Sequence, residues 1–265
     1  MRIDLRQEQG PFDIIGDAHG CADELERLLA ALGYSVRVEE ESGARRAVVA
    51  QSGARRAVFV GDLVDRGPRS PDVLRIAMAM VEAGQAFCVI GNHDAKFLRW
   101  LKGSNVQLKH GLSETVAQMR SEPEDFRRQV RDFLEALPSH VWLDGGRLAV
   151  AHAGIKEYML GSALGSVRAF CLYGETTGES DELGLPIRLN WAADYRGSTT
   201  IVYGHTPVDQ AVWLNNTICI DTGCCFGGRL TALRWPQREI VSVRAARVYM
   251  QPARPLAGTP QVPGA

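Results

Sequence analysis

Between residues 12 and 103, short apolar runs alternate with amphipathic helical patterns, and that rhythm constrains the fold more than any other feature of the chain. Residues 12–16 read as a strand. Residues 23–32 follow as a helix, with Leu25, Leu28, Leu29 and Leu32 spaced i, i+3, i+4, i+7 and Gly33 just past its end. Residues 57–61 are a second apolar strand. Ser70 and Pro71 open a helix running to Gly84, with Val73, Ala77, Met80 and Val81 on one face. Residues 87–90 read as a third strand, followed by a helix to about Gly103. Such a β-α-β-α-β succession requires crossover helices packed on a largely parallel sheet.

The pattern then changes. Residues 104–138 read as a helical insertion beside the sheet, with Ser113 and Ser121 as N-caps and a stripe of Phe126, Val130, Phe133, Leu134 and Leu137 that Pro138 ends. From Val141 onward strands dominate, at 141–143, 147–151, 200–203, 212–221, 230–234 and 240–243, with Gly-Gly, Asn-Asn or Pro-Gln between several of them. A second, more antiparallel sheet packed on the first is expected. Residues 172–188, rich in Gly, Thr and acidic side chains, read as a long loop. The heptapeptide Ser-Gly-Ala-Arg-Arg-Ala-Val occurs at 42–48 and again at 52–58. Two copies ten residues apart make no solenoid, so a slipped duplication or a hairpin edge is expected. Residues 1–250 are thus expected to form one domain. Residues 251–265, with Pro252, Pro255, Pro260 and Pro263, have the composition of a tail or linker.

Composition narrows the class. The chain has 265 residues, 45% hydrophobic and 23% charged, enough for a substantial core. Thirty Lys and Arg against 31 Asp and Glu leave a net charge of −1, which excludes a strongly basic duplex binder. The N-terminus has no apolar targeting segment, and no apolar run reaches the ~18 residues of a membrane span. A cytoplasmic location without membrane contact is expected. The six cysteines include no C-x-x-C pair, so reduced buried thiols are expected rather than a disulfide framework or a thiolate zinc site.

The chemistry lies at the strand ends. The first expected strand ends in Gly16-Asp17-Ala18-His19-Gly20, the second in Gly61-Asp62-Leu63-Val64-Asp65-Arg66-Gly67 and the third in Gly91-Asn92-His93-Asp94. Ala151-His152-Ala153-Gly154 and Gly204-His205-Thr206-Pro207 follow. Ligands of open α/β sheets bind outside the carboxyl ends of strands, so five groups of Asp, Asn and His converge on one pocket. Oxygen and imidazole donors without thiolate suit Mn²⁺, Fe, Ni²⁺ or Zn²⁺. Two such ions can clamp the attacking and leaving oxygens of a phosphoester, with Asp62 as the bridging carboxylate. His110 and His140 lack such neighbours and read as packing or surface residues.

These five blocks resemble the signature blocks of the calcineurin-like metallophosphoesterases, in the branch holding serine/threonine phosphoprotein phosphatases and diadenosine tetraphosphatases. The resemblance implies an α/β fold, a two-sheet β-sandwich flanked by helices. It implies that Asp17, His19 and Asp62 hold one metal and that Asp62, Asn92, His152 and His205 hold the other, Mn²⁺ foremost. It also implies that Arg66, with Asn92, grips the phosphate, that His93 protonates the leaving oxygen and that Asp65 orients His93. Asp221 is either a further ligand or partner of a ligating histidine, or an Asx-type turn with Thr222 and Gly223. Two positions depart from the family pattern. Pro207 stands where many relatives carry a second histidine, and 172–177 reads Leu-Tyr-Gly-Glu-Thr-Thr where relatives place a W-x-R phosphate clamp. The second arginine is expected at Arg196, with Arg168 and Arg188 behind it.

Residues 60–67, 106–111, 172–178 and 218–230 further resemble the phosphatase module of bacterial polynucleotide kinase-phosphatase. That resemblance implies an RNA end bearing a 2′-phosphate or 2′,3′-cyclic phosphate as substrate, and kinase and ligase-like modules as partners in a longer protein. The alternatives are a phosphoprotein phosphatase, a dinucleoside polyphosphate hydrolase and, from another class, a non-catalytic RNA-end-binding module. The complete ligand set speaks against the last.

Overall fold

A computed structural model describes residues 3–41, 44–51, 53–182, 184–253 and 256. The strands are β1 (Asp4–Leu5), β2 (Phe12–Ile15), β3 (Tyr34–Glu41), β4 (Ala44–Gln51), β5 (Arg56–Phe59), β6 (Ala86–Cys88), β7 (His140–Leu143) and β8 (Leu148–Ala151). They continue with β9 (Thr176–Ser180), β10 (Pro186–Arg188), β11 (Thr200–Tyr203), β12 (Trp213–Leu214), β13 (Thr217–Cys219), β14 (Arg229–Trp235) and β15 (Glu239–Arg244). The helices are α1 (Ala22–Leu32), α2 (Ser70–Glu82), α3 (Asn92–Leu101), α4 (Leu112–Arg120), α5 (Glu124–Ala136) and α6 (Gly165–Tyr173).

One sheet has the order β15-β14-β2-β5-β6, the other β1-β7-β8-β11-β13-β12. Strand alternation explains how they stack. Ile14, Val58 and Leu233 of the first sheet meet Val141, Val150, Val202 and Ile218 of the second in a dry inter-sheet core. The neighbouring residues Ile15, Ala57 and Phe59 face the other way, onto Leu25, Leu28 and Leu29 of α1 and Val73, Leu74 and Ala77 of α2. On the far side, Ala149, Ala151 and Ile201 receive Phe170 of α6 and Trp191. The layers are therefore helix, sheet, sheet, helix. Each fully buried leucine of α1 contributes about 1.5–3 kcal/mol of transfer free energy.

The second sheet is not the more antiparallel one. Its β1–β7, β8–β11 and β11–β13 pairs are parallel. The expected strands at 230–234 and 240–243 instead join the first sheet, β14 lying antiparallel to β2 and β15 antiparallel to β14. Alternation in sequence marks which residues face inward but not which strand lies alongside. Residues 172–188 are likewise not a plain loop. They finish α6 and form the β9–β10 hairpin, fully exposed and therefore without the apolar alternation that marks a strand. Neither expected serine cap holds. Gly111 precedes α4 and Pro123 precedes α5, while Ser113 lies in the first turn and Ser121 at the close of α4.

The repeated heptapeptide takes two fates. Residues 44–48 lie in the β3–β4 hairpin, and residues 56–58 in the interior strand β5, between β2 and β6. Residues 42, 43 and 52 of the two copies are outside the described residues. Most of the expected tail, 254, 255 and 257–265, is also outside them. Gln251, Pro252 and Ala253 line a cavity that Arg66 also lines.

Candidate metal centre and its flanking arginines

The site forms where β2, β5 and β6 of one sheet and β8, β11 and β13 of the other run out at the same edge. Its loops take costly backbone conformations. His19, Asp62, Asp65, Arg66 and His205 all have positive φ, between 42° and 75°. Such non-glycine residues cost about 1–3 kcal/mol each and persist only where the surroundings over-determine them. Here the loops brace one another. The His19 amide donates to the Asp62 carbonyl and the Gly67 amide to the His19 carbonyl, both at 2.9 Å. Asp94 accepts from the amides of Leu63 (2.9 Å) and Gly91 (3.0 Å), tying the second loop to the third. Thr115 of α4 accepts from the Asp65 amide at 2.9 Å. A Cβ on Gly91 would overlap Asp62, and one on Gly111 would overlap the Arg66 backbone, so both close approaches need glycine.

The side chains form a row. Asp62 Oδ2 lies 3.5 Å from His19 Nε2 and 3.3 Å from His152 Nε2. His152 Nε2 is 2.9 Å from Asn92 Oδ1 and 3.0 Å from His205 Nδ1. Beyond His205, Arg188 donates to its Nε2 and to the Tyr173 carbonyl (2.8 Å). At the other end His19 packs edge-on against His93, their ring centroids 4.9 Å apart. Arg66 donates to Nε2 of both rings. His93 Nδ1 donates to Asp65 Oδ2 at 2.6 Å. Asp17 closes the row from beneath, its Oδ2 accepting from the His205 amide at 3.0 Å.

This donor set suits a divalent cation. His19 Nδ1 and His152 Nδ1 each face a backbone carbonyl, of Val64 (2.9 Å) and Val60 (3.1 Å). A carbonyl only accepts, so both Nδ1 atoms carry hydrogen and both Nε2 atoms present lone pairs. The His152 lone pair points at a carboxylate oxygen. With His152 neutral, two acceptors would face each other there, so the contact calls for either a proton on His152 or a cation between the two. Asp17 Oδ1 is buried and has no hydrogen-bond partner. Two groups, His19–Asp62–His93 and Asp62–His152–His205, bring their donor atoms within 4.8 Å of one another, with Asp62 common to both.

The titration behaviour expresses the same need. Burial raises Asp17 well above the usual carboxylate range, and Asp221 and Asp62 add to it. Burial would also raise Asp62, but the imidazoles of His152, His93 and His19 hold it well below that range. Burial works against protonation of His152, yet Asp62, Asp17 and Asp94 lift it to about 9. His205 is driven well below its ordinary value by burial, His152 and Arg188.

The fold brings Asp17, His19, Asp62, Asp65, Arg66, Asn92, His93, His152 and His205 together. Arg196 stays away. Its guanidinium turns back to the carbonyls of Ala193 and Tyr195, both at 2.8 Å, because the short 3-10 turn at Trp191–Asp194 leaves those carbonyls free to accept. Arg188, at the end of the exposed hairpin, occupies the place expected of Arg196. Asp221 makes the Asx-type bond, accepting from the Gly223 amide at 3.0 Å, while lying close enough to Asp17 to raise its pKa. Asp94 and Thr115 were given no role by sequence reasoning. Asp94 stands inside the Gly-Asn-His-Asp block, a signal that was present but unassigned. Thr115 carried none.

Residues 10–238 match the calcineurin-like phosphoesterase family, and the chain belongs to it. It is therefore a phosphoester hydrolase of a family that uses divalent metals. It is 44% identical over 243 residues to a protein of Anoxybacillus flavithermus named bis(5′-nucleosyl)-tetraphosphatase PrpE, asymmetrical, covering 90% of this chain and 96% of that one. Against the Bacillus subtilis protein of the same name it is 42% identical over 242 residues, with the same coverage. Among solved structures, a putative diadenosine tetraphosphatase superposes with a TM-score of 0.63 at 28% identity, over 92% of this chain and 97% of that one. A Saccharomyces cerevisiae protein serine/threonine phosphatase shares the fold, with a TM-score of 0.58 at 14% identity over 95% and 85% of the two chains. Among the described residues no helix is long and apolar enough to cross a membrane.

Proposed function

We propose that this protein hydrolyses dinucleoside polyphosphates, with two divalent ions, Mn²⁺ foremost, bound along the row of donors. The observation that carries this reading is end-to-end similarity, above 40%, to proteins named as tetraphosphatases. The resemblance to an RNA-repair phosphatase rested on four short stretches. It yields to similarity spanning nine-tenths of the chain, and RNA ends, kinase and ligase-like modules lose their support. Six unpaired, buried cysteines fit a reducing cytoplasm.

Asp17, His19 and Asp62 would hold one ion, and Asp62, Asn92, His152 and His205 the other. Bound there, the ions supply a nucleophilic water at neutral pH and Lewis-acid stabilisation of phosphoryl charge. The remaining steps belong to the chain's own side chains. Arg66 and Arg188, at opposite ends of the row, present guanidinium forks to phosphate oxygens. His93, its Nδ1–H held by Asp65, keeps Nε2 turned into the site. Protonated there, it donates to the leaving phosphate oxygen as the bond to phosphorus breaks. Asp65 fixes the ring orientation that this transfer requires.

The purified protein with added Mn²⁺ is to be offered diadenosine tetraphosphate, an RNA 2′,3′-cyclic phosphate and a phosphoserine peptide, with products resolved by anion-exchange chromatography. Fastest turnover of the dinucleotide is expected. A kcat/KM on the RNA end or the phosphopeptide exceeding that on the dinucleotide would overturn the reading.

A further inference from the structure

A cavity of about 310 Å³ opens on one end of the row, beside His205 and Arg188. One part of its wall is aromatic. Trp191 and Tyr203 lie with ring centroids 5.0 Å apart at 56°, and the half-exposed Tyr173 stands at the mouth. Val212 and Leu214 add apolar surface, and Gln210 supplies a polar edge. A second cavity of about 520 Å³ lies on the other side of Arg188 and His205 and contains Arg66 and His110. Arg188 and His205 line both cavities and so stand between the aromatic chamber and a second space whose charged groups are Arg66 and Arg188.

We propose that the aromatic chamber binds a nucleobase of the substrate, and that its position determines which phosphate is attacked. This rests on the dinucleoside polyphosphate reading. Aromatic faces on one side, with Gln210, Asn190 and Glu175 supplying polar groups around them, are the chemistry that takes a base by stacking and edge hydrogen bonds, and the volume falls within the range of small-molecule sites. In-line displacement puts the leaving oxygen opposite the incoming water. The leaving oxygen must face His93, which Arg66 contacts. The phosphate chain beyond the broken bond therefore runs past Arg66 into the second cavity, toward His110. The nucleoside attached to the attacked phosphorus is left on the Arg188 side, where the aromatic chamber opens.

Because that chamber shares His205 with the donor row, a base seated in it places its own α-phosphate at the row. Water oxygen bonds to the α-phosphorus and the bond from α-phosphorus to the α,β-bridging oxygen breaks. The proton from His93 goes to that bridging oxygen, which leaves on the β-phosphate. The unequal products, monophosphate and triphosphate, are those of the asymmetrical cleavage in the relatives' name; what the chamber adds is that the monophosphate carries the oxygen from water.

The test uses Val212→Trp, which fills the chamber, and Tyr173→Ala, which removes an exposed ring without touching the core. For each, kcat/KM on diadenosine tetraphosphate relative to that on p-nitrophenyl phosphate is expected to fall about tenfold or more. AMP inhibition of p-nitrophenyl phosphate hydrolysis is expected to weaken by a similar factor. Unchanged ratios together with unchanged AMP inhibition in both variants overturn the chamber as a base site. Hydrolysis in ¹⁸O-water is expected to label the monophosphate, and label in the triphosphate overturns the orientation. If the wild type cleaves p-nitrophenyl phosphate but no dinucleotide, the functional reading fails, and AMP inhibition in the variants still decides the chamber.

Discussion

The two ends of the donor row are built in opposite ways. At the His93 end His19, Asp62, Asp65 and His93 are buried, Arg66 is partly so, and all are braced. His93 bonds to Asp65, Arg66 bridges two imidazoles, and strained loops are locked by Asp94 and by Thr115 of the inserted helix α4. At the His205 end the corresponding arginine comes from an exposed hairpin and borders an apolar chamber. One end is organised to hold a proton and a charge in place, the other to admit part of a substrate. The difference teaches that a cluster of metal-type donors can be rigid where bonds break and adaptable where the substrate is chosen.

Breaking the His93 end is expected to give the largest effect. His93→Ala should lower kcat on diadenosine tetraphosphate by about 10²–10⁴-fold, with the bound metal measured by plasma emission unchanged. The loss should be much smaller on p-nitrophenyl phosphate, whose leaving group needs no proton. Equal losses on both substrates would remove the acid role.

A stability effect comes next, from His140 beneath α6, whose ring faces Cys171. His140 is fully buried in β7, its Nε2 accepting from the Gly161 amide at 3.1 Å, and burial lowers its pKa from 6.5 to about 4. The folded state thus binds fewer protons than the unfolded one between those values, and stability falls as the pH drops through that window. The contribution is present above pH 6.5 and disappears by about pH 4, amounting to about 3 kcal/mol. Urea unfolding of His140→Asn should show that much less pH dependence than the wild type. Parallel curves would exclude the contribution.

Smaller effects separate the two candidate arginines. Arg188→Ala should raise KM for the dinucleotide about tenfold, as expected for one partly exposed charge-assisted contact. Arg196→Ala, whose guanidinium serves only local carbonyls, should leave KM and stability within about 0.5 kcal/mol of wild type. A reversed order would restore Arg196 as the clamp.

The His93 end was legible in the sequence because three consecutive parallel strands deliver Asp17 through Asp94 in local blocks. Regular αβ alternation fixes where such blocks must lie. His152 and His205 were legible for the same reason, each ending a strand. The His205 end beyond them was not. The β9–β10 hairpin is polar on both faces, so nothing in 172–188 distinguishes paired strands from loop, and nothing local tells Arg188 from Arg196. Their difference is that one guanidinium finds two nearby carbonyls while the other finds His205, seventeen residues away. Strand partnership failed similarly, since β14 and β15 read as strands but gave no sign that β14 lies beside β2 with β15 outside it.

Residue order alone thus sufficed for most of the helix and strand pattern, the two-sheet class and the convergence of nine polar side chains at strand ends. These depend on periodicity and on short-range blocks. Which arginine faces the phosphate, which glycines let loops interlock, and that an aromatic chamber adjoins the row all depend on contacts between distant segments. Such contacts arise only once the sheets have packed and excluded water from the space between them.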